Sequence, residues 1–213
     1  MQVVAFSRPS FFVSTTMTSM RFLTGPVARS LLQRRLVHVE RRIADLGITL
    51  PPAPQPKANY NIVCRASGNM LYVSGHLPLM EDGTLLTGRI GENGGESVEH
   101  GYKAARQCGL NLISTLKEQL GDLDRVEQVV KVHIEPTPRV ATKRCLTSLQ
   151  VFGIVQSDDD FKSQHLVMDG CSDVLMEVFT KDVGYHARSA IGTSTLPLNM
   201  SVEVECIVQV KQE

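Results

Sequence analysis

Residues 202–210 read VEVECIVQV, in which Val202, Val204, Cys206, Val208 and Val210 alternate with Glu203, Glu205, Ile207 and Gln209. Successive side chains of a β-strand point to opposite faces, so this strict period of two describes a strand with one face in a core and one face out of it. Such a strand needs a sheet to belong to and an apolar layer to cover one face. Residues 97–120 supply that layer. Val98, Tyr102, Ala105, Cys108, Leu112, Ile113, Leu116 and Leu120 recur there at steps of three and four, with Glu99, Lys103, Arg106, Gln107, Lys117 and Glu118 between them. The spacing predicts a helix with one buried stripe and one wet face. Ser97 is its expected N-cap, Glu99 suits the positive helix end, and Gly121 is its expected C-cap.

The other elements are read in the same way. A second amphipathic helix is expected over 164–179, with Leu166, Val167, Cys171, Val174, Leu175, Val178 and Phe179 near one side and Gly170 as a weak point. Strands are expected over 60–66, 70–74, 126–132 and 149–155, the first two joined by a Ser67-Gly68-Asn69 turn. Residues 38–47 predict a short helix stopped by Gly47. Four prolines within 51–56 make the next stretch an extended connector. The order of elements describes an α+β fold with its helices on one side of a mainly β sheet. Two long helices cover one face, so the other face calls for a partner subunit.

The 213 residues carry no net charge, but the zero is a sum of unlike parts. Residues 1–37 are rich in Arg, Ser and Thr, contain no acid, and interleave apolar residues with basic ones. That is the composition of a mitochondrial-type transit peptide; a disordered tail or a misassigned start codon is the alternative. The five arginines there leave 17 Lys and Arg against 22 Asp and Glu in the rest. A mildly acidic body of about 175 residues argues against nucleic-acid binding. No 20-residue apolar run is present, so no membrane span is expected. The five scattered cysteines lack CxxC spacing, which fits free thiols in a reducing compartment, mitochondrial or cytoplasmic. The six histidines lack HExxH, and the glycine-rich GENGG at 91–95 lacks GxxxxGK[ST]. Neither a metal nor a cofactor is predicted.

The array His186-Ala187-Arg188-Ser189-Ala190-Ile191-Gly192, Leu196-Pro197-Leu198 and Val202-Glu203-Val204-Glu205-Cys206 resembles the C-terminal signature of the YjgF/RidA family, also known as L-PSP endoribonucleases. Leu71-Tyr72-Val73-Ser74-Gly75-His76-Leu77-Pro78 is similar to the family's early strand and turn, and the lead-in RIADLGITLPPAPQP to its longer-chain branch. The likeness spans roughly residues 38–213. It implies a chorismate-mutase-like α+β fold and a homotrimer with clefts between subunits. It also implies hydrolysis of reactive enamines and imines, of the 2-aminoacrylate type, to 2-oxo acids and ammonia. No cofactor is implied.

By the same resemblance Arg188 would hold the substrate carboxylate and Glu203 would position the attacking water. Tyr60 would wall the pocket, and Gly75 and Ala190 would line it with backbone. An arginine fork suits a small carboxylate, and a carboxylate can accept a proton from water. On residue type alone, Arg188 reads equally as a salt-bridge arginine and Glu203 as a solvated strand residue. Ser189 and Thr193 read as substrate hydrogen-bonders or polar turn residues. His76 and His186 are tempting bases that the family pattern does not require, though His76 is placed to line the pocket. One departure stands out: where the family expects one strand, residues 133–148 intervene, an inserted loop bearing Arg139, Lys143 and Arg144. Two further functions are open, a non-catalytic binder of small carboxylates and an endoribonuclease.

Overall fold

The computed structural model describes residues 39–66, 69–91, 95–129 and 150–211. The leader read over 1–37 and the insertion read over 133–148 lie outside these residues. In chain order the elements are helix α1 (Val39–Asp45), strands β1 (Val63–Ala66) and β2 (Met70–His76), and helix α2 (Val98–Leu120). Strands β3 (Val126–Val129) and β4 (Gln150–Gln156) follow, then helix α3 (Gln164–Gly184) and strands β5 (Ala187–Thr193) and β6 (Val202–Val210). The strands form one sheet in the order β1-β2-β6-β4-β5, with β3 also on β6. Every pairing is antiparallel except β4 with β5, which are parallel and joined through α3.

The alternation in β6 works as its residue types dictate. Val202, Val204, Cys206, Val208 and Val210 are buried beneath α2 and α3, and the alternate residues face away. Ser97 caps α2 by accepting the His100 N–H at 3.1 Å, and Gly121 closes it at φ 73°. The two long helices approach closely at Gly170, where a Cβ would stand 2.1 Å from the Tyr102 carbonyl. The glycine that weakens α3 as a sequence is thus what lets its backbone reach α2. Glu177 of α3 then fastens both neighbours. Its carboxylate takes two bonds from Arg106 of α2, at 3.2 and 2.6 Å, and its carbonyl accepts from Arg42 of α1.

β3 and β4 lie end to end along the same edge of β6. Val129 pairs with Val208 and Gln150 with Ile207, one step apart on β6, although twenty residues separate them in the chain.

Several expectations are corrected. Gln107, placed on the wet face of α2, is buried, because its amide donates to the Leu79 carbonyl at 3.0 Å and to Asn111 at 3.2 Å. Val98 and Leu166, placed in buried stripes, are 36% and 45% exposed, since each lies in the first turn of its helix beyond the sheet's cover. α3 continues past 179 to Gly184, with Thr180 out of helical conformation at φ 66°, ψ 170°. β2 runs on through His76 across a register shift after Val73. β5 had no expected counterpart as a strand.

Candidate functional site

The register divides the expected site residues between two faces. Arg188 pairs with Val151, Val151 with Cys206, and Cys206 with Val73, so Arg188 shares the helix-covered face. Glu203 pairs with Ile154, and Ile154 with Ile191, on the opposite, open face. β5 is an edge strand two places from β6, roughly 10 Å across the sheet at ordinary strand spacing. One protomer therefore does not bring Arg188 and Glu203 together.

Glu203 meets Gly75. The β-bulge between Val73 and His76 sets Gly75 against the glutamate, and a Cβ there would fall 1.9 Å from Glu203 Oε1. Only glycine leaves space for the carboxylate in this position. Burial pushes the Glu203 pKa up, and the charge on Glu205 adds to that. Among the described residues nothing donates a hydrogen bond to this carboxylate. Its proton affinity is raised and its lone pairs are open, which suits a group that accepts a proton from water.

On the other side of Gly75 lies a pocket of about 100 Å³, lined by Tyr60, Ile62, Gly75, His76, Leu77, Leu79, Leu85 and Leu198, with Pro54, Gln55 and Lys57 at the connector. Ser74 holds the Tyr60–Ile62 stretch in place. Its N–H donates to the Ile62 carbonyl at 3.0 Å and its hydroxyl to the Asn61 carbonyl at 2.8 Å. Tyr60 stands 40% exposed at this wall.

His76 lies beneath the pocket, 1% exposed. Nδ1 is 2.7 Å from the Ser74 carbonyl, which can only accept, so Nδ1 carries the proton. Nε2 then accepts from the Thr115 hydroxyl at 2.8 Å. Burial pulls the His76 pKa down to about 4. The ring is neutral and both nitrogens are engaged, an arrangement that holds the pocket floor.

Arg188 is anchored at the β5 edge. Nη1 donates to Asp169 Oδ1 and to Ser172 Oγ, each at 2.9 Å, and Nη2 donates to the His165 carbonyl at 3.1 Å. His186 repeats the pattern of His76. Nδ1 donates to the carbonyl two residues back, Gly184, at 2.6 Å, and Nε2 accepts from Ser172 at 3.0 Å. Burial lowers its pKa, helped by the Arg188 charge. Ser172 thus gives its proton to His186 and turns its lone pairs to Arg188.

Ser189 is half-exposed on the open face beside Phe152. The Ala190 side chain packs against the core. Thr193 ends β5 and donates to the Thr195 carbonyl at 3.2 Å. Sequence reasoning missed Asp169, Ser172 and Thr115. The signal for the first two was a polar pair three residues apart, one helical turn, at the border of the expected apolar side of α3; Thr115 lay unremarked beside Leu116. Cys108, Cys171 and Cys206 are buried, with thiol pKa values pushed up by desolvation, to about 12 for Cys171. Glu40, Asp122 and Asp124 gather within 4.8 Å, and two of their carboxylates accept backbone N–H groups where α1 docks. No helix among the described residues is long and apolar enough to cross a membrane.

A mixed six-stranded sheet with long helices on one face is an α+β architecture of the chorismate mutase-like kind. Residues 40–211 match the family model of YjgF/chorismate mutase-like candidate endoribonucleases, and the chain belongs to this YjgF/RidA family. Protein TCP17 of Trypanosoma cruzi is 38% identical over 172 residues, 80% of this chain and 93% of the relative. Among solved structures, Atu1372 of Agrobacterium tumefaciens is 34% identical with a TM-score of 0.64, covering 85% of this chain and 99% of its own. A candidate endoribonuclease of Shewanella oneidensis is 26% identical with a TM-score of 0.67, covering 81% and 99%.

Proposed function

We propose that the protein hydrolyses reactive imines and enamines of small amino acids to 2-oxo acids and ammonia. The observation that carries this reading is the Glu203 carboxylate, seated on Gly75 with its pKa raised and, among the described residues, no donor satisfying it. In the proposed reaction the water oxygen attacks the C=N carbon while Glu203 accepts a water proton. The imine nitrogen takes up that proton to give the carbinolamine. The amine nitrogen then takes a second proton, balanced by the one the carbinolamine hydroxyl loses through Glu203. As that oxygen forms the C=O bond, the C–N bond breaks and ammonia leaves. An imine is already electrophilic, so a held carboxylate and a placed water are sufficient.

The substrate carboxylate needs a cation, and Arg188 is too distant within one protomer. A homotrimer that sets the β5 edge of one subunit against the Gly75–Glu203 bulge of the next would complete the site. Asp169, Ser172 and the His165 carbonyl would hold the guanidinium in a fixed orientation, and a planar fork in fixed orientation is what bidentate carboxylate binding uses. The test is release of 2-oxo acid and ammonia from an imine generated in situ. The wild type is expected to exceed the buffer rate and Arg188→Ala to lose at least about 100-fold. Equal rates for wild type, variant and buffer would end the deaminase reading. The name of the Shewanella relative favours RNA cleavage as a second reading. That reading expects salt-sensitive cleavage of RNA by protein purified free of other nucleases.

A further inference from the structure

Leu198 is out of place on two counts. It has left-handed backbone, φ 57° and ψ 16°, and Asn199 after it has φ 57°. Glycine or asparagine adopts that conformation with less strain than a leucine. The side chain is also 65% exposed. Strained backbone that presents an apolar side chain to solvent points to a contact made there. Leu198 stands on the wall of the pocket beside Gly75, with Ile62, Leu79, Leu85 and Tyr60.

The pocket's size and charge narrow its occupant. A cavity of about 150 Å³ takes benzene, so the 100 Å³ here takes a chain of about four carbons. The lining is mainly apolar, with Ile62, Leu77, Leu79, Leu85 and Leu198 beside Tyr60 and the neutral His76, and its one charged side chain is Lys57, exposed and without an ion pair among the described residues. A mainly apolar bowl of this size beside Gly75 fits the apolar side chain of an acid whose carboxylate lies outside it, and the exposed Lys57 at the rim favours an anionic ligand over a cationic one.

We infer that this pocket receives the branched aliphatic side chain of a 2-imino or 2-oxo acid, and that Leu198 closes over it. The inference rests on the deaminase reading for the reaction but not for the binding. It makes the preferred substrates those with isobutyl-sized side chains, ahead of the three-carbon acid.

The test uses two stable acids as probes, 4-methyl-2-oxopentanoate and 2-oxopropanoate, titrated calorimetrically into the full chain. Three further buried carbons are expected to make the branched acid bind about tenfold tighter or more. Leu198→Gly suits the backbone and should melt as the wild type does, yet it is expected to cut that ratio about threefold. Affinities equal within about twofold, a ratio unchanged in Leu198→Gly, or no binding of either acid at millimolar concentration would each overturn the assignment. Discrimination without imine turnover would remove the deaminase reading and leave the pocket standing. Turnover with equal affinities would do the reverse.

Discussion

The edge strand β5 and the interior β2–β6 pair treat their charged groups in opposite ways. At the β5 edge, Arg188 is satisfied by Asp169, Ser172 and the His165 carbonyl, and Ser172 is in turn satisfied by His186. At the β2 bulge, Glu203 is crowded against Gly75, near the charge of Glu205, with no donor among the described residues. The arginine is fixed in direction and gives up little freedom when it meets an anion. The carboxylate is held uncomfortably, and it is the group whose state a reaction would change. Each place also carries a neutral histidine, buried at His76 and half-buried at His186, that donates Nδ1–H to the carbonyl two residues earlier and accepts from a helix hydroxyl. The scaffolding is alike at the two places; what differs is whether the charge it presents is paired.

That contrast can be broken most forcefully at Gly75. Gly75→Ala puts a methyl where the Glu203 oxygen now sits, but the atom displaced is the end of a flexible side chain. Imine hydrolysis is expected to fall about 10- to 100-fold with the melting temperature within about 2 °C of wild type. A large loss of stability instead would mean that the bulge, and not the carboxylate, depends on the glycine.

The next effect is one of pH. His76 titrates at about 4 in the folded protein and near 6.5 when unfolded. Below pH 6.5 the unfolded chain takes up the proton first. Stability present above that value is therefore lost as pH falls toward 4, by about 3 kcal/mol. Thermal melts across this window should show the decline, and His76→Gln should flatten it. His186, also lowered, leaves a residual slope of the same sign. An unchanged slope in His76→Gln would place the titrating group elsewhere.

The smallest effect has the opposite sign. Glu203 has a raised folded pKa, so its ionised form opposes folding, and the stability it contributes when protonated is lost as pH rises through that value. Glu203→Gln is expected to raise the melting temperature at pH 7 by about 1–3 °C while abolishing hydrolysis. A lowered melting temperature would show that the ionised carboxylate is favourably held, as Arg188 is.

Much of the frame was legible because local chemistry and tertiary packing agree there. The alternation of β6, the Ser97 and Gly121 caps and the short helix before Gly47 are of this kind. β5 was not legible as a strand. Its sequence ARSAIGT has one large apolar residue, and its conformation is set by parallel pairing with β4, which no local pattern announces. Gln107 was misplaced because an amide type looks wet, whereas the Leu79 carbonyl it satisfies comes from a distant loop. At the site, the motif named Arg188 and Glu203 from their neighbours in the sequence. That they occupy opposite faces follows from strand register across β4, which the sequence of either segment alone does not contain.

β6 is the last of the described strands and the middle strand of the sheet, paired with β2, β3 and β4. During synthesis, β1 with β2 and β4 with β5 leave the ribosome as two separate ribbons whose inner edges have nothing to pair with. Until Val210 has emerged, both ribbons offer open backbone to any other extended chain. A chain that lacks β6 would have the two long helices and both ribbons with no central strand to join them. The nascent chain is thus most open to mispairing until β6 emerges, and a chaperone acting on it would have to hold it until that strand has paired.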